Sequence, residues 1–162
     1  MNTFVHHRPR RHVDARSSIN FRASILAGFS AILLNTAILI AADSVHIVTA
    51  RGGLLTLLVK LIGSPVPRIV TTWMFQQVFH IIVGVAMMVA YAIVFSRWYA
   101  PAFAKGLLVA AIVWLANACV VLPMIGQGFA GSRILSLAGT LTFAMAHTIF
   151  FVVGALLYER WK

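Results

Sequence analysis

The chain has 162 residues, 61% of them apolar and only 10% charged, with a formal charge of +10. An ordinary soluble domain carries roughly 45–50% apolar and 25% charged residues, so this composition excludes one. A single cysteine, Cys119, excludes a disulfide-stapled scaffold. Apolar runs of 20 residues or more exceed any core strand and point to an all-α, polytopic membrane protein.

Residues 1–20 read as a mobile, basic, cytoplasmic tail. Its arginines Arg8, Arg10 and Arg11 have no interleaved aromatics, so anionic lipid is the expected partner and nucleic acid is not. The following apolar run is longer than the 7–15 residues of a signal-peptide core. Four stretches can cross about 30 Å of hydrocarbon at 1.5 Å per residue: about 21–42, 69–95, 102–122 and 135–158. Arg22 can snorkel at the start of the first. Pro65 and Pro67 precede the second and Pro101 the third. Pro123, with Gly126, Gly128 and Gly131, is expected to end the third. Between spans one and two, the segment 53–63 (GLLTLLVKLIG) is too short to span and too apolar to float free. A short helix in the interface, or tucked against the bundle, is expected there.

With four spans, both termini share a face with the loop joining spans two and three. That face holds Arg8, Arg10, Arg11, Arg16, Arg22, Arg97, Lys105, Arg160 and Lys162, against Arg51, Lys60, Arg68 and Arg133 on the other. The positive-inside rule places both termini in the cytoplasm, in a bacterial inner membrane. The mitochondrial inner membrane is the lesser alternative, left open by an Arg-rich, acid-poor N-terminus. Trp98, Tyr99, Tyr158 and Trp161 fall at that face as interfacial anchors.

The four spans also read as two similar hairpins, an internal duplication. His80 is followed eleven residues later by Tyr91, and His147 likewise by Tyr158. Eleven residues bring a helix about 20° past three turns, so each pair shares a face. Spans one and three carry one asparagine each, Asn35 and Asn117, about thirteen residues in. The expected result is a polar layer of Asn35, Asn117, His80, His147 and Gln76 crossing the bundle at one level. The layer has a structural reading, helix-to-helix hydrogen bonds that set register. A second reading is a b-type haem with His80 and His147 as axial ligands, with Gly84 and Gly154 leaving room for the porphyrin. The stripe Trp73, Gln76, His80, Gly84, Met87 and Tyr91 could also line a quinone or substrate pocket.

Catalytic chemistry finds little to work with. The only carboxylates are Asp14, Asp43 and Glu159, all outside the apolar spans, and no nucleophile–base set, phosphate loop or metal-ligand cluster is present. Asp43 and His46 stand one turn apart at the outer face, and Cys119 reads as a small packing residue. The expected function is therefore a non-catalytic integral membrane subunit or accessory protein. It would pack against other membrane subunits of a larger complex, such as a respiratory or electron-transfer assembly. The alternatives are the haem-binding electron carrier and a small proton-coupled transporter using the polar layer.

The segment from His80 to Tyr91, the run VLPMIGQG (Val121–Gly128) and His147 resemble a small uncharacterised family of four-helix bacterial integral membrane proteins. That resemblance implies the four-helix architecture and a His followed by Gly in spans two and four. Phe151 stands where the second of those glycines would be, which argues against a close helix approach there.

Overall fold

The computed structural model describes residues 19–50, 52–63 and 67–162. The tail expected over 1–20 lies almost wholly outside these. The described residues form helices and turns without strands. In chain order the helices are α1 (Phe21–Ser44), the short α2 (Gly53–Ile62), α3 (Trp73–Phe95), α4 (Ala102–Met124) and α5 (Leu137–Trp161). All but α2 are long and apolar enough to cross a membrane. At 1.5 Å per residue their 23–25 residues span about 35–38 Å, more than the hydrocarbon core requires. This is the architecture of a multi-pass membrane protein.

Polar caps set three of the four starts. Asn20 Oδ1 accepts from the Ala23 amide at 3.0 Å, and Ser136 Oγ from the Gly139 amide at 3.1 Å. Thr72 Oγ1 accepts from the Phe75 amide, so α3 begins at Trp73 rather than 69. The residues before it, Arg68–Thr71, make a separate 3₁₀ turn. Pro101, φ fixed at −56°, precedes α4.

Pro123 does not end α4 at 122. Residues Asn117–Val121 form a π turn, in which the Leu122 amide donates to the Asn117 carbonyl, five residues back. The wider turn absorbs a proline that cannot donate, and the helix continues to Met124. The glycines then turn the chain, Gly126, Gly128 and Gly131 all having positive φ. Lys60 Nζ from α2 donates to the Met124 carbonyl at 2.7 Å, satisfying an end group of α4. The segment between spans one and two is thus a helix tucked against the bundle, with Gly53, Leu55 and Leu57 buried.

Helix α1 is central, packing extensively on both α3 and α5, while α4 packs on α5. Its contact face is small: Ala23, Ser24, Ala27, Gly28 and Ala31 are all buried. Hydrocarbon offers helices no hydrophobic drive to associate, so small residues that admit close backbone approach supply the packing. Gly106 does the same for α4. A Cβ there would stand 2.8 Å from Val152 Cα and 2.9 Å from the Phe151 carbonyl oxygen. The close approach to α5 that Phe151 argued against is therefore present, supplied by the opposite helix.

The main apolar core occupies the half of the bundle nearest the termini, around Met88, Tyr91, Phe150, Phe151 and Tyr158. A smaller cluster of Ala50, Leu122 and Phe143 lies toward the α2 end. Tyr158 is wholly buried and meets Tyr91 edge-to-face at 6.1 Å. It is a core aromatic rather than an interfacial anchor, because its helix turns that face onto α3. Trp98, Tyr99 and Trp161 are exposed. Cys119 is exposed as well, so it does not fill the interior as a packing residue would.

Lys105, which the sequence places only among the basic residues of one face, is 3% exposed, donating to Glu159 Oε1 at 2.7 Å and to the Phe95 carbonyl at 3.4 Å. Lys162 pairs with the other Glu159 oxygen. This cluster ties α4 to α5 and reaches the end of α3.

Candidate functional site: an intramembrane cavity

Between the two core clusters lies a cavity of about 310 Å³. The five residues of the expected polar layer, Asn35, Gln76, His80, Asn117 and His147, all line it. Helix periodicity explains why. Gln76 precedes His80 by four residues and so shares its face, and Gln77, three residues before, joins them on the wall. Trp73 and Tyr91, at the ends of the same stripe, do not line the cavity; Trp73 is exposed and Tyr91 lies in the core. The rest of the wall is apolar, including Ile32, Leu39, Met87, Phe143 and Phe150. No Asp, Glu, Lys or Arg among the described residues reaches it.

The polar groups are not equivalent. His80 Nε2 and Asn35 Oδ1 are hydrogen-bonded at 3.1 Å, joining α3 to α1. The asparagine oxygen can only accept, so the imidazole donates. Asn117 and His147 instead bond their own helices. Asn117 Nδ2 donates to the Val113 carbonyl at 2.9 Å, and His147 Nδ1 to the Phe143 carbonyl at 2.9 Å. His147 also sits against the Phe143 ring, centroids 4.3 Å apart.

Two features of the wall escaped sequence reading. The N-terminal turn of α2, Gly52 to Leu55, forms part of it. So do Asn117 and Val121, the two ends of the π turn. A proline six residues after an asparagine in an apolar span was the available signal, and it reads more naturally as a helix stop.

The opening follows from the packing. Helices α3 and α4 both contribute wall, yet these neighbours in sequence scarcely touch. The located contacts from α3 to α4 and α5 fall near the termini: Phe95 with Lys105, Met88 with Gly154, Tyr91 with Tyr158. Further along, α3 and α4 stand apart, and the lining residues Gln76 of α3 and Ile112 and Ala116 of α4 are exposed.

The residues do not fit a bis-imidazole haem. His80 Nε2, the ring nitrogen farther from its own backbone, is taken by Asn35, so only Nδ1 would keep a lone pair for iron. The glycines expected to make room are filled. A Cβ on Gly84 would stand 2.5 Å from Ile32 Cγ1, and one on Gly154 2.6 Å from Met88 Sδ. Among the described residues, no three His, Cys, Asp or Glu side chains converge as a metal site. Asp43 and His46 are exposed, away from the cavity.

No family model, curated protein or solved structure matches the chain, so its function is read from its own residues.

Proposed function

We propose that the protein is a non-catalytic integral membrane subunit or accessory protein that holds a small, uncharged, lipid-soluble molecule inside its helix bundle. Its termini lie in the cytoplasm of a bacterial cell, following the excess of basic residues at that face. The observation that carries the reading is the cavity. Its volume of about 310 Å³ is at the lower end of small-molecule sites, and its wall combines hydrocarbon with a few convergent amides and imidazoles. Among the described residues no carboxylate or cation lines the cavity, which selects against a charged ligand, since an unpaired buried charge is costly. The gap between α3 and α4 supplies a route from the bilayer. A tail too long for the cavity can trail through it into lipid. A respiratory assembly, which shares its membrane with uncharged quinones, is one setting for such a subunit.

The test is saturable binding of an environment-sensitive fluorescent fatty alcohol to the protein in lipid nanodiscs. One site per chain is expected, lost when Ala116→Phe plugs the gap-facing wall. Binding that never saturates above that of empty nanodiscs would refute the reading.

A further inference from the structure

We infer that the cavity selects a ligand whose head carries a hydroxyl hydrogen, an alcohol, phenol or hydroquinone, over the corresponding ether or ketone. The inference rests on the binding reading above and narrows its ligand. Its ground is the state of the two polar side chains contributed by α4 and α5. The Phe143 carbonyl can only accept, so the His147 Nδ1 bonded to it at 2.9 Å must carry a proton. A neutral imidazole holds one proton, which leaves Nε2 as an acceptor. Asn117 spends an Nδ2 hydrogen on the Val113 carbonyl, and its Oδ1 is likewise left as an acceptor. Both side chains line the cavity and neither bonds the other. One wall therefore offers two acceptors that only a donor can satisfy.

On α1, Asn35 spends its oxygen on His80 and keeps its amide hydrogens. A hydroxyl group matches both, donating to Asn117 or His147 and accepting from Asn35. An ether or ketone can accept from Asn35, from the second Asn117 Nδ2 hydrogen or from the glutamines on the wall, but it leaves His147 Nε2 and Asn117 Oδ1 desolvated without a donor. Such mismatches cost more than the net worth of the bonds they replace. The back-bonding also fixes the side chains: each is held to a carbonyl one turn earlier in its own helix, so the acceptors are positioned before a ligand arrives.

The experiment compares a radiolabelled long-chain alcohol with its methyl ether, which keeps the tail and the oxygen but loses the hydrogen. Binding is measured to the protein in nanodiscs, with the Ala116→Phe protein and empty nanodiscs as references for partitioning. The wild type should prefer the alcohol by roughly ten-fold, the scale of one or two hydrogen bonds. His147→Phe and Asn117→Leu should each reduce the preference about three-fold or more, while His147→Gln, which restores an acceptor, should retain it. Equal binding of alcohol and ether by the wild type would overturn the hydroxyl selection and leave the cavity's binding role standing. Binding of neither would overturn both. The wild-type ratio decides the matter even if a variant fails to fold.

Discussion

The two hairpins carry matching residues and use them differently. In the first, α1 and α3 are tied by Asn35 and His80, bonded to each other at the level of the cavity. In the second, Asn117 and His147 ignore one another, and α4 and α5 are tied instead by Lys105 and Glu159 at the end near the termini. A polar residue facing another helix does not by itself say whether it fastens that helix. The outcome depends on whether a carbonyl of its own helix, one turn back, is the nearer acceptor. The hairpin whose cavity-level residues are satisfied locally is also the one that leaves acceptors for a ligand.

The largest break in this comparison should come from Glu159→Gln. It leaves Lys105, 3% exposed, without its counter-charge inside α4–α5, and a loss of about 3 kcal/mol is expected. Reversible unfolding in mixed detergent micelles would measure it, and a change below about 1 kcal/mol would show that the pair is not holding the hairpin. Gly106→Val comes next. The new side chain meets backbone atoms of Val152 and Phe151 that cannot yield without moving α5, at about 1–3 kcal/mol. The same unfolding assay applies.

The smallest effect is the most diagnostic. His80→Leu removes the tie between α1 and α3 and strands Asn35, costing about 1–2 kcal/mol. His147→Leu frees only a carbonyl that its own helix already uses, and should cost less than about 0.5 kcal/mol beyond any change in packing. Equal costs would mean that the two hairpins do not differ as their hydrogen bonds indicate.

Much of the fold was legible because lipid imposes simple rules. Apolar length and flanking prolines locate four spans to within a few residues, since a span must satisfy its backbone internally. The face shared by His80, Gln76 and Gly84 followed from helical periodicity, and the cavity does gather the five polar residues. What stayed hidden depends on contacts between helices. Tyr158 read as a belt residue because its depth was visible and its facing was not. Lys105 counted only as one more basic residue of the cytoplasmic face because its partner, Glu159, lies 54 positions away. Pro123 read as a stop because a π turn five residues long leaves no compositional mark. The pairing of Asn35 with His80, and its absence for Asn117 and His147, is a matter of ångströms that no spacing encodes.

The most direct measurement is an experimental structure of the protein in lipid nanodiscs, purified without delipidation. Density should enter between α3 and α4 and end within hydrogen-bonding distance of Asn117 or His147, with α3 and α4 still apart at that level. A bundle in which α3 closes onto α4, leaving no space at His147, would contradict the binding role from which the rest of the function is drawn.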